Sequence, residues 1–130
     1  MQLNWNLQRT LAKINYQLHT DAIKENLIPK ALTKDKLNFI YADEADLLNI
    51  SLFGITAKQW RDENPQQTGN IRDHATIEQL VVLSNLESLN SVLIHQGLAQ
   101  NQRIKQLNSI AITQMKSLLA NQQLKHLSAK

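Results

Sequence analysis

Only five residues in this chain of 130 are glycine or proline, at positions 29, 54, 65, 69 and 97. Such residues stop helices, so they fix where the chain turns and leave long uninterrupted stretches between the stops. Those stretches carry apolar residues three and four apart, the spacing of one helix face. The first runs from Leu3 to about Leu27, with Leu3, Leu7, Leu11, Ile14 and Leu18 in one stripe, and Pro29 ends it. Thr33 is placed to cap the next stretch, KDKLNFIYADEADLLNISLF, which closes at Gly54. Asp43 restarts the helical pattern midway, so one bent helix and two short ones fit equally. Thr56 then opens a short helix, AKQWRDEN, closed by Pro65.

The segment PQQTGNIRDHA reads as a loop. Thr76 with Gln79 three residues on forms a capping box, which opens a helix from Ile77 to Gln96 that Gly97 ends. This helix is apolar almost all round, a pattern that predicts a place in the middle of a bundle. Its one polar seam, Ser84, Ser88 and Ser91, is small enough for a neighbouring helix to approach closely. The last helix spans about Gln100 to Leu127, with Ile104, Leu107, Ala111, Met115 and Leu118 on one face. These two helices form a hairpin turning at Gly97, onto which the first helix can pack. No strand pattern or internal repeat competes. The sequence therefore predicts an all-α fold: one compact helical bundle over residues 1–130, of about five to six helices, with long first and last helices and a central buried helix.

Apolar residues make up 42% of the chain, enough for one modest core, and no run is long enough to cross a bilayer. Cysteine is absent, which excludes disulfides and thiolate metal sites. The N-terminal MQLNWNLQRTLAKINYQL has polar residues throughout and lacks the continuous apolar segment of a signal peptide, so a cytoplasmic protein is expected. Charge is uneven: residues 1–42 carry six Lys/Arg against three Asp/Glu, residues 43–87 three against eight, and residues 88–130 five against none. The basic ends either attract a nucleic acid or acidic partner, or are solvated faces attracted to the acidic middle. The second reading is preferred.

Little points to catalysis. His19, His74, His95 and His126 are dispersed, and no helical zinc motif, phosphate-cradling loop or nucleophile elbow appears. DEAD at 43–46 lacks a nucleotide-binding loop and reads as an acidic helix start, where carboxylates suit the dipole. Asp73 beside His74 is a weak acid-base pair, since sequence neighbours need not face each other. No cofactor and no metal site are expected, and an enzyme is the distant alternative.

DNA binding is the stronger competitor. EADLLNISLFGITAKQWRDEN can be laid out as helix, turn and second helix, with Gly54 in the turn, Trp60 as inward anchor, and Lys58, Gln59 and Arg61 facing a groove. Against it, Pro65 cuts the second helix short, Asp62 and Glu63 follow, and the surrounding net charge of −5 (three cations against eight carboxylates over residues 43–87) repels phosphates.

The stretch from about Leu11 to Leu119, including KINYQLHTDAIKENLIP, EADLLNISLFGITAKQWRDENP, GNIRDHATIEQLVVLSNLESLN and LNSIAITQMKSLL, resembles the C-terminal region of phage and bacterial KilA-N domain proteins. A fainter similarity, in Leu52-Phe53-Gly54, Lys58, Asn70 and Asp73-His74, runs to the DNA-damage-inducible protein D family. In KilA-N proteins the DNA-binding module lies N-terminal to this region, and residues 1–130 show nothing like it. The resemblance implies a regulator of DNA in mobile elements, such as a phage antirepressor, and supplies no catalytic residues.

Two readings of residues 54–74 remain. In the preferred one, Gly54, Trp60, Gly69 and Asp73 form a structural hinge docking the short helix on the bundle, with Trp60 buried, Arg72 paired to a carboxylate and Asn70 or Asp73 bonding turn backbone. In the other, Lys58, Gln59, Arg61, Asn70, Arg72 and His74 form a partner or nucleic-acid surface. The expected partners are a protein or a second copy, a homodimer built on the first and last helices, with DNA reached through a separate KilA-N module and at most weakly by this chain.

Overall fold

The computed structural model describes residues 6, 7, 9, 10 and 27–128. The predicted first helix, residues 3–27, falls largely outside them; residues 6, 7, 9 and 10 are helical and exposed, and the Thr10 hydroxyl donates to Asn6 O at 2.8 Å. From residue 27 onward come five α-helices: α1, Lys34–Asn38; α2, Glu44–Phe53; α3, Ala57–Glu63; α4, Ile77–His95; and α5, Gln100–Ser128, with one 3-10 turn at Ile71–His74. Among the described residues there is no strand. The protein is an all-α bundle with a long last helix.

The caps explain the boundaries. Thr33 accepts from Lys36 N and Asp43 from Ala45 N, so the stretch after Pro29 is two helices separated by extended Phe39 and a turn, not one bent helix. Gly54 ends α2 in the left-handed region, with φ 78°, and its N–H bonds Ile50 O at 3.0 Å. Lys36 Nζ donates to Gly54 O at 2.8 Å, a cation at the carbonyl end of α2 where the helix dipole favours one. Thr56 with Gln59 and Thr76 with Gln79 form full capping boxes for α3 and α4. After α4, Gly97 N bonds Ile94 O at 2.9 Å and Leu98 N bonds Leu93 O at 3.2 Å, the paired bonds of a Schellman turn.

That turn folds α5 back along α4. Asn85 on α4 meets Gln114 on α5 and Asn90 meets Arg103, so the register runs antiparallel. α2 lies across both helices, and Leu47 through Leu52 are all buried. The helix at the centre of the bundle is thus α2. Of its buried polar residues, Ser51 is satisfied locally and from α5, its Oγ donating to Leu47 O at 2.8 Å and its carbonyl accepting from Asn108 Nδ2 at 3.0 Å, whereas Asn49 Oδ1 is buried with no hydrogen-bond partner among the described residues. Asn108 also accepts from Leu32 N and donates to Lys30 O, both at 3.2 Å, which ties the segment after Pro29 to the core.

α4 departs from its predicted place. It buries Val82, Leu83, Leu86 and Asn90, with Leu89 and Leu93 packed against the core. Its other face is exposed: Ile77 is 78% accessible, Val92 52%, and Leu80, Val81 and Ile94 are exposed as well. The reason is geometric, because its helical neighbours among the described residues, α2 and α5, lie on one side. Ser84, Ser88 and Ser91 sit on the open side and are exposed, with no neighbouring helix against them among the described residues.

Candidate functional site

Three groups of side chains carry the chemistry. The first is the 54–76 segment. Asn70 Oδ1 accepts from Arg72 N at 2.9 Å and Asp73 N at 3.3 Å, while Asp73 Oδ2 accepts from Asn70 N at 2.9 Å. This reciprocal box fixes the 3-10 turn. Gly69 approaches it with φ 82°, and a methyl group there would sit 2.5 Å from Asp73 Oδ2, so glycine is needed for both backbone and space. The Trp60 and His74 rings stack at 5.0 Å between centroids, and His74 Nε2 bonds Thr68 O at 2.7 Å. Arg72 Nη1 pairs with Glu87 Oε1 on α4 at 3.1 Å.

The structure therefore commits most of the predicted surface residues to the segment's own architecture. Asn70 spends its oxygen on backbone, Gln59 spends Oε1 on Thr56 N at 2.9 Å, Arg72 reaches Glu87, and His74 is held between Trp60 and Thr68. Lys58 and Arg61 are exposed on α3, and no hydrogen bond or ion pair joins them to Asn70, Arg72 or His74 among the described residues. The predicted burial of Trp60 needs correction. It is half-buried, because α3 docks on the 3-10 turn rather than on the main core, so its indole meets His74 instead of the bundle interior. Trp60→Ala is accordingly expected to cost about half of the ~3–5 kcal/mol of a buried aromatic, and Gly54→Ala about 1 kcal/mol from its positive φ alone, both read by urea denaturation. A Trp60→Ala midpoint equal to wild type would show that the indole contributes no packing.

The second group escaped the sequence reading. Arg103, 7% exposed on α5, donates through Nη1 to Glu44 Oε1 and, at 2.8 Å, to Asn90 Oδ1; through Nη2 to Glu44 Oε2 at 3.3 Å; and through Nε to Leu98 O at 3.0 Å. Asn90 Nδ2 and Gln100 Nε2 complete the shell of Glu44 at 2.9 and 3.0 Å. Gln100 also clasps the Tyr41 backbone, accepting from its N–H at 2.9 Å and donating to its carbonyl at 2.7 Å. The Arg103 hydrogen bond holds the Glu44 carboxyl below the usual carboxylate range, opposed by burial and assisted by Asn90 and Gln100. These bonds run between elements of the fold, so the cluster ties α2, α4 and α5 together at the bundle end nearest the hairpin turn. The two charged partners are 59 residues apart in sequence, and no local pattern links them.

The third is the open face of α4, which carries no charged residue along its centre: Ile77, Val81, Ser84, Ser88 and Ser91 follow one another at helical spacing. An open groove of about 510 Å³ between residues 27–33 and the end of α2 has apolar walls that include Leu27, Leu32 and Phe53, with Lys30 and Lys36 as its charged groups. It brings together no acid with a base. Among the described residues no group of three or more His, Asp or Glu is placed to hold a metal, and no helix is long and apolar enough to cross a membrane. No family model, curated protein or solved structure matches the chain.

Proposed function

We propose that this chain is a non-catalytic interaction domain of a KilA-N-type, antirepressor-like regulator from a phage or other mobile element, acting in the cytoplasm. DNA contact in this reading belongs to a separate KilA-N module. The observation that carries the interaction role is the open face of α4, where Ile77, Leu80, Val81, Val92 and Ile94 are all exposed. A helix that gives five large apolar residues to solvent along one side is presenting a surface for another protein. The regulatory setting rests on the resemblance of residues 11–119 to the KilA-N C-terminal region.

The geometry of α3 supports the same choice over direct base reading. It has seven residues, its partner helix α2 is buried in the bundle, and Asp62 and Glu63 accompany its two cations. A recognition helix needs a longer, net basic face to enter a major groove and meet phosphates. The expected result is weak, sequence-independent binding to duplex DNA, at about 10⁻⁴–10⁻⁶ M or weaker at physiological salt, followed by fluorescence anisotropy across a salt series. Nanomolar, sequence-selective binding abolished by Arg61→Ala would overturn this reading in favour of a helix-turn-helix.

A further inference from the structure

We infer that residues 27–38 form a strap that swings off the bundle as one unit, pivoting at Phe39 and Ile40, while the core of α2, α4 and α5 stays folded. This conformational property goes beyond the interaction role proposed above and does not depend on it.

Packing marks the boundary of the unit. The buried core cluster begins at Tyr41 and continues on α2, α4 and α5, whereas Leu27, Ile28, Leu32 and Leu37 pack against it only partly buried. α1 has five residues and buries none of them, and a helix so short does not hold without tertiary contacts. Open grooves flank the segment: about 510 Å³ between residues 27–33 and the end of α2, about 220 Å³ beside Asp35 and Lys36, and about 410 Å³ between residues 38–40 and the start of α5. A segment with few buried contacts opens at a lower free energy than the core it rests on. Phe39 and Ile40 lie outside any helix and are 59% and 82% exposed, so a change in their backbone angles meets little resistance.

Two amide side chains on α5 decide which end is fixed. Gln100 clasps the Tyr41 backbone through bonds of 2.9 and 2.7 Å, and Tyr41 is itself buried. Asn108, about two turns further along α5, clasps the other end, accepting from Leu32 N and donating to Lys30 O, both at 3.2 Å. The longer pair marks the end that leaves. When it does, Asn108 Nδ2 keeps its 3.0 Å bond to Ser51 O, and water entering the opened groove replaces Leu32 N at Oδ1. Opening therefore leaves the Asn108 side chain paired.

Two further bonds hold α1 down. Lys36 Nζ donates to Gly54 O at 2.8 Å, and the Tyr41 hydroxyl donates to Lys36 O at 2.8 Å. The first is exposed to solvent, which takes over both groups when the strap lifts. Opening bares the groove wall formed by Leu52, which is 1% exposed in the closed form, and Phe53. The apolar surface at the end of α2 thus changes with the position of the strap.

Native-state hydrogen exchange of the full chain, resolved amide by amide by NMR, tests the motion. The amides of Leu32, Leu37 and Asn38 are expected to exchange about a hundredfold faster than the Leu107 amide in the middle of α5, while the Tyr41 amide keeps close to the protection of Leu107. Lys36→Met, at an exposed position, is expected to speed exchange at Leu32 about threefold and to leave Leu107 unchanged, although Lys36 Nζ bonds Gly54 and not Leu32. A Leu32 amide as protected as that of Leu107 would overturn the strap. Exchange of Tyr41 at the rate of Leu32 would overturn the pivot at Phe39 and Ile40. An effect of Lys36→Met confined to α1 would overturn motion as one unit.

Discussion

Arg103→Met is expected to lower the free energy of unfolding by about 3 kcal/mol in urea denaturation at neutral pH. Its guanidinium is 7% exposed and serves Glu44, Asn90 and the Leu98 carbonyl at once. Removing it strands the Asn90 oxygen, on a residue only 4% exposed, and the Leu98 carbonyl without their donor. Breaking one partner of a buried pair typically costs ~3–5 kcal/mol. The lower end applies because the Glu44 side chain is 41% exposed and takes up water when its partner leaves. The pH dependence follows from the same contact. A carboxyl whose folded pKa is depressed adds stability that is present above its ordinary value of 4.5 and disappears as pH falls through the lower folded value. Wild type should therefore lose stability in that acid window, and Arg103→Met should lose less there. A variant with the wild-type urea midpoint and an identical acid profile would show that the cluster does not hold the helices together.

The second large effect separates the two faces of one helix. Leu86 is fully buried on α4 against the core, and Leu86→Ala is expected to cost about 2–5 kcal/mol, part transfer and part cavity. Ile77→Ser, on the open face of the same helix, should stay within about 0.5 kcal/mol of wild type, as surface changes do. Chemical denaturation of the pair reads the contrast. Similar large losses for both would place α4 inside a bundle with neighbours on every side.

Helix positions were largely written in local chemistry. Thr33, Asp43, Thr56, Thr76, Gly54 and Gly97 each act within four residues of themselves, so caps and stops are visible in the sequence where they operate. The reciprocal bonds of Asn70 and Asp73 are local in the same sense. The buried stripe of α5 was also legible, because Ile104, Leu107, Ala111 and Met115 keep helical spacing against polar neighbours. What the sequence hid depends on tertiary placement. An all-round apolar pattern on α4 does not say which side has a neighbour, and the seam of serines, which looked like a packing groove, faces outward. Trp60 looked like a core anchor because tryptophan usually is one, yet its helix packs on a small turn. Arg103 looked like one more cation of a basic tail, since its partners lie on α2 and α4.

The most direct measurement is native-state thiol labelling along α4, using single-cysteine variants of this cysteine-free chain. Cysteine at 77, 81, 84, 88 and 92 is expected to react at close to the rate of an unfolded control, and cysteine at 82, 86 and 90 to be strongly protected. Protection at every one of these positions would contradict a helix with one buried and one open face, and with it the surface on which the proposed interaction rests.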